Sequence, residues 1–296
     1  MFFGLNMPNY GSLGNVGAMT AIAQRADRLG YRSLWVSDHV LMPTSLPEPF
    51  GNLLESLTTL SYLAAHTEQI RLGTSVLVLP QRDPLLVAKQ AATVHHLSNG
   101  RLTLGVGVGW VEDEYRFLRA DFAARGRTAD EYIAAIRTLF ESDSPRFYGP
   151  TIEYDQVMFS PRPAARLPIV VGGGSKAALR RAATLGDGWH GITLNPEDVA
   201  RAVTTLRSYH LPDDFEVSLR TKTKVGSRLP DARPGAALHG GPEQIQTQLH
   251  EFATAGVDQM VIEPEANTLP EFLEQISLFA GDVMESWTAP SAAPRP

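Results

Sequence analysis

Gly100-Arg101-Leu102-Thr103-Leu104-Gly105-Val106-Gly107-Val108-Gly109-Trp110 is an apolar run with glycine at alternate positions near its end. Leu102, Leu104, Val106 and Val108 mark a buried strand, and the glycines let that strand end lie close to something large, read here as a flat ring system. A dinucleotide fingerprint is the competing reading of Gly105, Gly107 and Gly109. Trp110 stands where its third glycine belongs, and no acidic residue closes a second strand about 20 residues on, so the fingerprint is set aside.

Outward from this strand the chain alternates between strand and helix patterns. Upstream lies a unit of Arg71 to Val78 followed by Asp83 as N-cap, Pro84 at the first helical position, and apolar Leu85, Ala88 and Ala92. Before it, Phe2 to Asn6 is a short strand. Met19, Ile22, Ala23, Ala26 and Leu29 then fall at helical spacing up to Gly30, and Leu34 to Val36 is a second strand. Ser37, Asp38 and His39 stand just past its carboxyl end. Downstream, Thr128 and Glu131 form a capping box ahead of Ile133, Ile136 and Leu139. Residues 143–168 form an insertion with prolines at 145, 150, 161, 163 and 168 and aromatics between them, which reads as a packed excursion.

The alternation resumes with Ile169 to Val171, Gly172 to Gly174, and a helix from Ser175 to Gly186. Trp189 to Thr193 is a sixth strand, Asn195 and Pro196 open the next helix, and Glu216 to Val225 is a seventh strand. A Gly- and Pro-rich stretch at 226–241 reads as a mobile loop. Ile245, Leu249 and Phe252 mark a helix, Gln259 to Ile262 the eighth strand, Phe272, Ile276 and Phe279 a closing helix, and residues 288–296 a frayed tail. Eight such units predict a (β/α)₈ TIM barrel, residues 1–287 forming one domain, with an open doubly wound sheet as the other arrangement of the same units.

Composition agrees with a single large core. The 296 residues are 43% hydrophobic, and a net charge of −6 without a Lys/Arg cluster argues against nucleic-acid or anionic-membrane surfaces. With no cysteine there are no disulfides or thiolate metal sites, and without a secretion signal or long apolar segment a cytoplasmic protein is expected. His66, His95, His96 and His210 lack partners at ligand spacing, so no metal is expected.

In a barrel the chemistry sits where strands end. That rule selects Asn6, Asp38, His39, Ser75, Trp110, Gly172 to Ser175, and the His190 to Thr193 end. Ser37-Asp38-His39, Gly73-Thr74-Ser75-Val76-Leu77, Gly100-Arg101 with Gly105 to Trp110, Gly172-Gly173-Gly174-Ser175 and Gly186-Asp187-Gly188-Trp189 together resemble the luciferase-like monooxygenase superfamily. The branch that uses the deazaflavin coenzyme F420 is the most similar. The likeness runs from about residue 2 to about residue 285. It implies a barrel with insertions, usually a homodimer, that holds the deazaflavin at its carboxyl mouth, with Gly107 and Gly109 among the residues near the ring.

Each motif also has a plainer reading. Asp38 and His39 could cap a loop, but at a strand mouth a neutral imidazole can give or take a proton beside a reacting carbonyl or alcohol. His39 is assigned acid/base work and Asp38 the role of orienting partner or ring contact. Ser75, flanked by β-branched Thr74 and Val76, is a buried strand by pattern alone. The resemblance implies a bulge there, with a non-prolyl cis peptide at Ser75–Val76 pressing on one face of the ring. Gly172, Gly173, Gly174 and Ser175 run from strand into helix and could be an ordinary turn with an N-cap. Their unobstructed amides and the helix dipole suit a cofactor phosphate, and Lys176, Arg180 and Arg181 add positive charge, although barrel phosphate sites more often follow strands seven and eight.

Trp110 departs from the deazaflavin-dependent sugar-phosphate dehydrogenases, which place a Glu after the third glycine as proton donor. It is assigned with Asn6 to the substrate pocket, the plainer reading being an aromatic packed on the insertion, and Glu112 and Glu114 are read as the start of a helix. Three functions follow: a deazaflavin-dependent oxidoreductase that passes hydride to or from a small organic substrate, an FMN-dependent monooxygenase of the same fold, and a non-catalytic binding barrel.

Overall fold

The computed structural model describes residues 1–46, 51–227 and 235–288. Eight parallel strands follow one another around a closed barrel: β1 (Phe2–Asn6), β2 (Ser33–Val36), β3 (Arg71–Thr74), β4 (Leu102–Gly107), β5 (Ile169–Gly172), β6 (Gly188–Ile192), β7 (Glu216–Val225) and β8 (Gln259–Pro264). Closure comes from β1 pairing with both β2 and β8, in register Phe2↔Gln259 on one side and Gly4↔Ser33 on the other. A right-handed crossover helix follows nearly every strand because a parallel neighbour cannot be reached by a tight turn. They are α1 (Val16–Arg28), α2 (Ser56–Ala64), α3 (Pro84–Leu97), α4 (Arg125–Glu141), α5 (Lys176–Leu185), α6 (Pro196–Arg207), α7 (Pro242–Ala255) and α8 (Leu269–Leu278).

Local chemistry sets the helix ends. The side chains of Asn15, Asp83, Ser175 and Asn195 each accept a backbone N–H in the first turn, and Gly30 leaves α1 with φ of +78°. The outer core lies between this helix ring and the sheet, where Ile22, Leu60, Ile136, Leu206, Leu249 and Ile276 are fully buried. No helix among the described residues is long and apolar enough to cross a membrane.

Four features differ from the sequence reading. Helix α2 went unread because its apolar Leu57, Leu60 and Leu63 sit among Ser and Thr, and its N-cap is Glu55. The expected capping box at Thr128 and Glu131 does not form. Helix α4 begins at Arg125, Thr128 Oγ1 donates to the Ala124 carbonyl, and Glu131 accepts the amides of Thr151 (2.6 Å) and Ile152 (2.9 Å). Strand β4 is shorter than Gly100 to Trp110, since Gly100 at φ +83° and Gly109 at φ +63° leave the extended region at either end. Within 226–241, Ala237–Gly240 is a strand paired in parallel with Lys222–Val225, so that part is not a loop. Residues 228–234 and 289–296 lie outside the described residues.

The insertion contains a small hairpin, Phe147–Tyr148 against Glu153–Tyr154, and Tyr154 donates to the Ala135 carbonyl at 2.6 Å. It feeds β5 at its amino end, opposite the mouth. Trp110 therefore does not pack on it.

Arg101 ties the amino end of β4 to its neighbours. Its guanidinium donates to the carbonyls of Ser98, Ala64, Thr67 and Ile70 and to Thr67 Oγ1, all at 2.8–2.9 Å. Those carbonyls end α2 and α3 and lead into β3, so one planar fork closes three segments. Arg101→Ala should cost about 2–4 kcal/mol in urea unfolding, and Arg101→Lys should recover little because a single ammonium cannot span the fork. A loss below about 0.5 kcal/mol, the level of an ordinary surface change, would refute this.

Candidate functional site at the carboxyl mouth of the barrel

Alternation along the strands decides which side chains enter the barrel. A Cβ on Gly4 would stand 2.4 Å from Ser33 Oγ, and one on Gly73 would stand 2.5 Å from the Trp35 ring, so these positions point inward. Trp35, Val170 and Val261 form a separate buried cluster inside the sheet, and His190 stacks on Trp35 with ring centroids 4.7 Å apart. Two residues further towards the carboxyl end of each strand, the same parity brings Asn6, Ser37 and Ser75 to the mouth. On the other strands it brings Gly107, Gly172, Ile192, Arg220 and Glu263. The floor of the mouth is polar and small, built over an aromatic layer.

The Ser75–Val76 peptide is cis. Val76 fills space that the alternating glycines leave: a Cβ on Gly107 would come within 2.5 Å of Val76 Cγ2, and one on Gly105 within 1.9 Å of the Thr74 carbonyl oxygen. A Cβ on Gly109 would meet Val78 Cγ1 at 2.7 Å. The large object next to the β4 glycines is thus first of all the chain's own β3 bulge, a correction to the sequence reading of Gly105, Gly107 and Gly109. Ser75 Oγ lies 2.9 Å from His190 Nε2, and His190 Nδ1 lies 2.8 Å from Ser218 Oγ. Burial, with the Arg220 charge adding to it, pushes the His190 pKa down to about 3, so this imidazole stays neutral.

Arg220 and Glu263 were missed in the sequence, whereas Tyr10, in the loop after the first strand, was expected to line the substrate side with Asn6. Arg220 Nε donates to Glu263 Oε2 at 2.8 Å and Nη1 to Ser37 Oγ at 3.1 Å, while Tyr10 donates to Glu263 Oε1 at 3.3 Å. Burial opposes both charges, but each holds the other: Arg220 is shifted up and Glu263 down. Burial and the Glu263 charge push Tyr10 up to about 12. The available signal was the run Ser218, Arg220, Lys222 and Lys224 on alternate positions of a barrel strand, which puts polar groups on the inner face.

His39 has a different partner from the one expected. Its Nδ1 lies 3.0 Å from Glu114 Oε2, and Glu114 is almost fully buried in the short helix Glu112–Phe117. Glu114 also accepts the amides of Val40 (2.6 Å) and Leu41 (3.2 Å) and Gln81 Nε2 (3.2 Å). Burial pushes its carboxyl up, but the hydrogen bonds from His39 and Val40, with the His39 charge, outweigh it and the net shift is down. Asp38 does not orient His39. Its oxygens accept from Ser56 Oγ (3.0 Å), Arg82 Nη2 (2.6 Å) and the Val78 amide (2.9 Å), which pins the loop after β2 to the loop after β3. With both oxygens engaged and the carboxylate buried, Asp38 is also poorly placed for the ring contact that was expected of it.

At the end of β5, Gly172 and Gly173 lead to Gly174 and Ser175, and Ser175 Oγ accepts the Ala178 amide to open α5. Gly173 takes φ +107°, and a Cβ on Gly174 would meet nothing within 4 Å, so the space before the helix is open. Arg180 and Arg181 both turn to Asp130, and Arg181 also donates to the Gly126 carbonyl, so their guanidinium groups are engaged along the helix. Lys176 is exposed at the helix start. Asn6 is buried, and neither atom of its amide has a hydrogen-bond partner. Trp110 is 61% exposed and meets the His39 ring edge-on at 6.2 Å.

The family model for luciferase-like monooxygenases matches residues 2–234. An uncharacterized protein of Mycobacterium tuberculosis is 34% identical over 200 residues, 63% of this chain and 69% of that protein. A solved F420-dependent secondary alcohol dehydrogenase, in complex with an F420-acetone adduct, aligns with TM-score 0.81 and 16% identity over 97% of this chain and 99% of that one. The oxygenating constituent of 3,6-diketocamphane monooxygenase from Pseudomonas putida, a type II Baeyer-Villiger monooxygenase in complex with FMN, aligns with TM-score 0.79 and 14% identity over 98% and 100% of the two chains. At these identities the two structures share the fold.

Proposed function

The chain belongs to the luciferase-like monooxygenase family, and from that premise we propose that it is an oxidoreductase using the deazaflavin coenzyme F420, which passes hydride to or from an alcohol or carbonyl carbon. The observation that carries this reading is the His39–Glu114 pair at the barrel mouth. A ring that exchanges hydride with an oxygen-bearing carbon needs a group that exchanges the oxygen's proton, and an imidazole held by a buried carboxylate suits that task. A barrel that only binds has no need of it.

The residues present fit such a ring and its phosphate. Asn6 offers a buried amide with an unpaired donor and acceptor, and the open space before α5 at Gly174 and Ser175 suits an anion facing a helix N-terminus. Gly172, Gly173 and Lys176 belong to that phosphate end, while Ser75, Val76 and Gly107 form the floor. When bound, the deazaflavin supplies the two-electron hydride acceptor or donor. The protein supplies the rest. Ionised Glu114 accepts the N–H of His39 Nδ1, which fixes the tautomer and leaves the proton exchange to Nε2. Asp38 holds the two loops that carry His39 and the β3 bulge.

FMN is the second reading, supported by the FMN-bound monooxygenase of the same fold. Titrating the protein with each cofactor and following the bound absorbance separates them. The deazaflavin should bind more tightly, and preferential micromolar binding of FMN would reverse the assignment. Gly174→Val, with open space for its side chain and no positive φ to strain, should weaken cofactor binding by about 10- to 100-fold through lost amide contacts to the phosphate. An unchanged affinity would place the phosphate elsewhere.

A further inference from the structure

We propose that the mouth selects an uncharged substrate with an apolar body; this rests on the oxidoreductase reading and names its substrate class. Two observations carry it, one about charge and one about surface.

Among the described residues, the cations around the substrate side of the mouth are already matched. Arg82 pairs with Asp38 and Glu55, and Arg220 with Glu263. Lys222 lies 2.5 Å from Glu265, and Lys224 lies 2.5 Å from Glu271. A cavity of about 440 Å³ opens beside β7 and β8, with Tyr10, Lys222, Lys224, Glu263, Glu265 and Glu271 on its wall. Among the described residues of its wall, the three carboxylates and both lysines are all paired, so those residues present no spare positive charge to a carboxylate or phosphate. An anionic substrate would have to displace an existing ion pair and leave a carboxylate unpaired, which costs more than the new pair returns. A cationic substrate meets the same obstacle in mirror image, because Glu263, Glu265 and Glu271 are engaged by Arg220 and the two lysines. Lys176 stands apart, at the phosphate end of the cofactor.

The surface opposite is apolar. Trp110 lies edge-on to His39, and Val40 and Leu41, the two residues after His39, are 44% and 50% exposed while their amides are tied to Glu114. Ile192 follows His190 by two on β6, so it points from the same inner face into the mouth, and it is 41% exposed. Trp110, Val40 and Leu41, large apolar side chains left in water beside one imidazole, form a wall that gains only when an apolar body covers it. The oxygen of such a body would meet His39 and its carbon skeleton would meet Trp110, Val40 and Leu41.

The test uses a matched set on the full chain: cyclohexanol and cyclohexanone, cyclohexanecarboxylate, and cyclohexylamine, with binding read from tryptophan fluorescence and thermal shift, each with and without the deazaflavin. The neutral pair should bind at least about tenfold more tightly than either charged compound. Trp110→Ala should weaken the neutral pair about 5- to 50-fold and narrow its advantage, with deazaflavin affinity by absorbance unchanged. Equal or tighter binding of the carboxylate or the amine overturns the proposal, and so does a Trp110→Ala variant with undiminished preference. Loss of the oxidoreductase reading shows separately, as failure to bind either cofactor.

Discussion

Glu114→Gln should lower turnover by about 10²- to 10⁴-fold while cofactor affinity changes little, the range for removing a positioned acid/base function. All four partners of Glu114 are donors: His39 Nδ1, Gln81 Nε2 and the amides of Val40 and Leu41. A carboxylate satisfies all of them, whereas a glutamine side chain of the same shape has one oxygen and one NH₂. The oxygen goes to the short amide bond of Val40, and the NH₂ then faces His39. To meet it, His39 must turn Nδ1 into an acceptor and carry its proton on Nε2, the wrong tautomer for taking a proton at the mouth. His39→Asn should be as slow, and the double variant no slower than either, because the two act as a unit. Steady-state kinetics on an accepted substrate checks this, and unchanged turnover in Glu114→Gln would assign the proton to water or another group. There is also a stability consequence. The Glu114 carboxyl is shifted down from its ordinary 4.5, so its contribution is present above that value and is lost as pH falls through the folded-state pKa.

This pair shows what a sequence can and cannot disclose. His39 was legible because strand ends are recognisable, and a polar triplet just past Val36 stands out. Glu114 was read only as a residue of a helix start, which it is. Its function depends on where a six-residue helix after β4 lands relative to the loop after β2, and no spacing in one chain encodes that. Asp38 shows the converse error, since adjacency in sequence to His39 suggested a partnership, while its carboxylate turns away to Ser56, Arg82 and Val78. The barrel was easier. Strands β2, β5 and β8 carry runs of buried apolar residues, and Asn15, Asp83, Ser175 and Asn195 mark helix starts by local chemistry alone. The one helix left unread, α2, has neither a preferred cap residue nor an unbroken apolar stripe. The network of Arg220, Glu263 and Tyr10 joins residues more than 200 positions apart in the chain, at either end of the sequence, so only barrel closure brings it together.

Gly105→Ala should destabilise the protein by about 3 kcal/mol or more, the upper end for overpacking in a closed core. The added methyl would stand 1.9 Å from the Thr74 carbonyl oxygen, 3.1 Å from its carbon and 3.3 Å from Val76 Cγ1. Side-chain clashes relax by changing rotamer, but this one is with backbone. The Thr74 backbone cannot move freely either, since Thr74 Oγ1 donates to the Gly105 carbonyl at 2.6 Å, and Ser75, next in the chain, is held by His190 and Arg220. Relief requires β3 and β4 to separate where they pair, at Leu72↔Leu102 and Gly73↔Thr103. Denaturant unfolding should show the loss, with Tm lower by roughly 5–10 °C for a chain of this size, whereas Gly174→Ala, with no atom within 4 Å of its new methyl, should stay near the parent. A Gly105→Ala protein within about 0.5 kcal/mol of the parent would mean that the contact between the two strands is looser than the structure has it. The expected result makes Gly105 a requirement of the β3 bulge and not of a ligand: its methyl should lower stability by the same amount with or without cofactor.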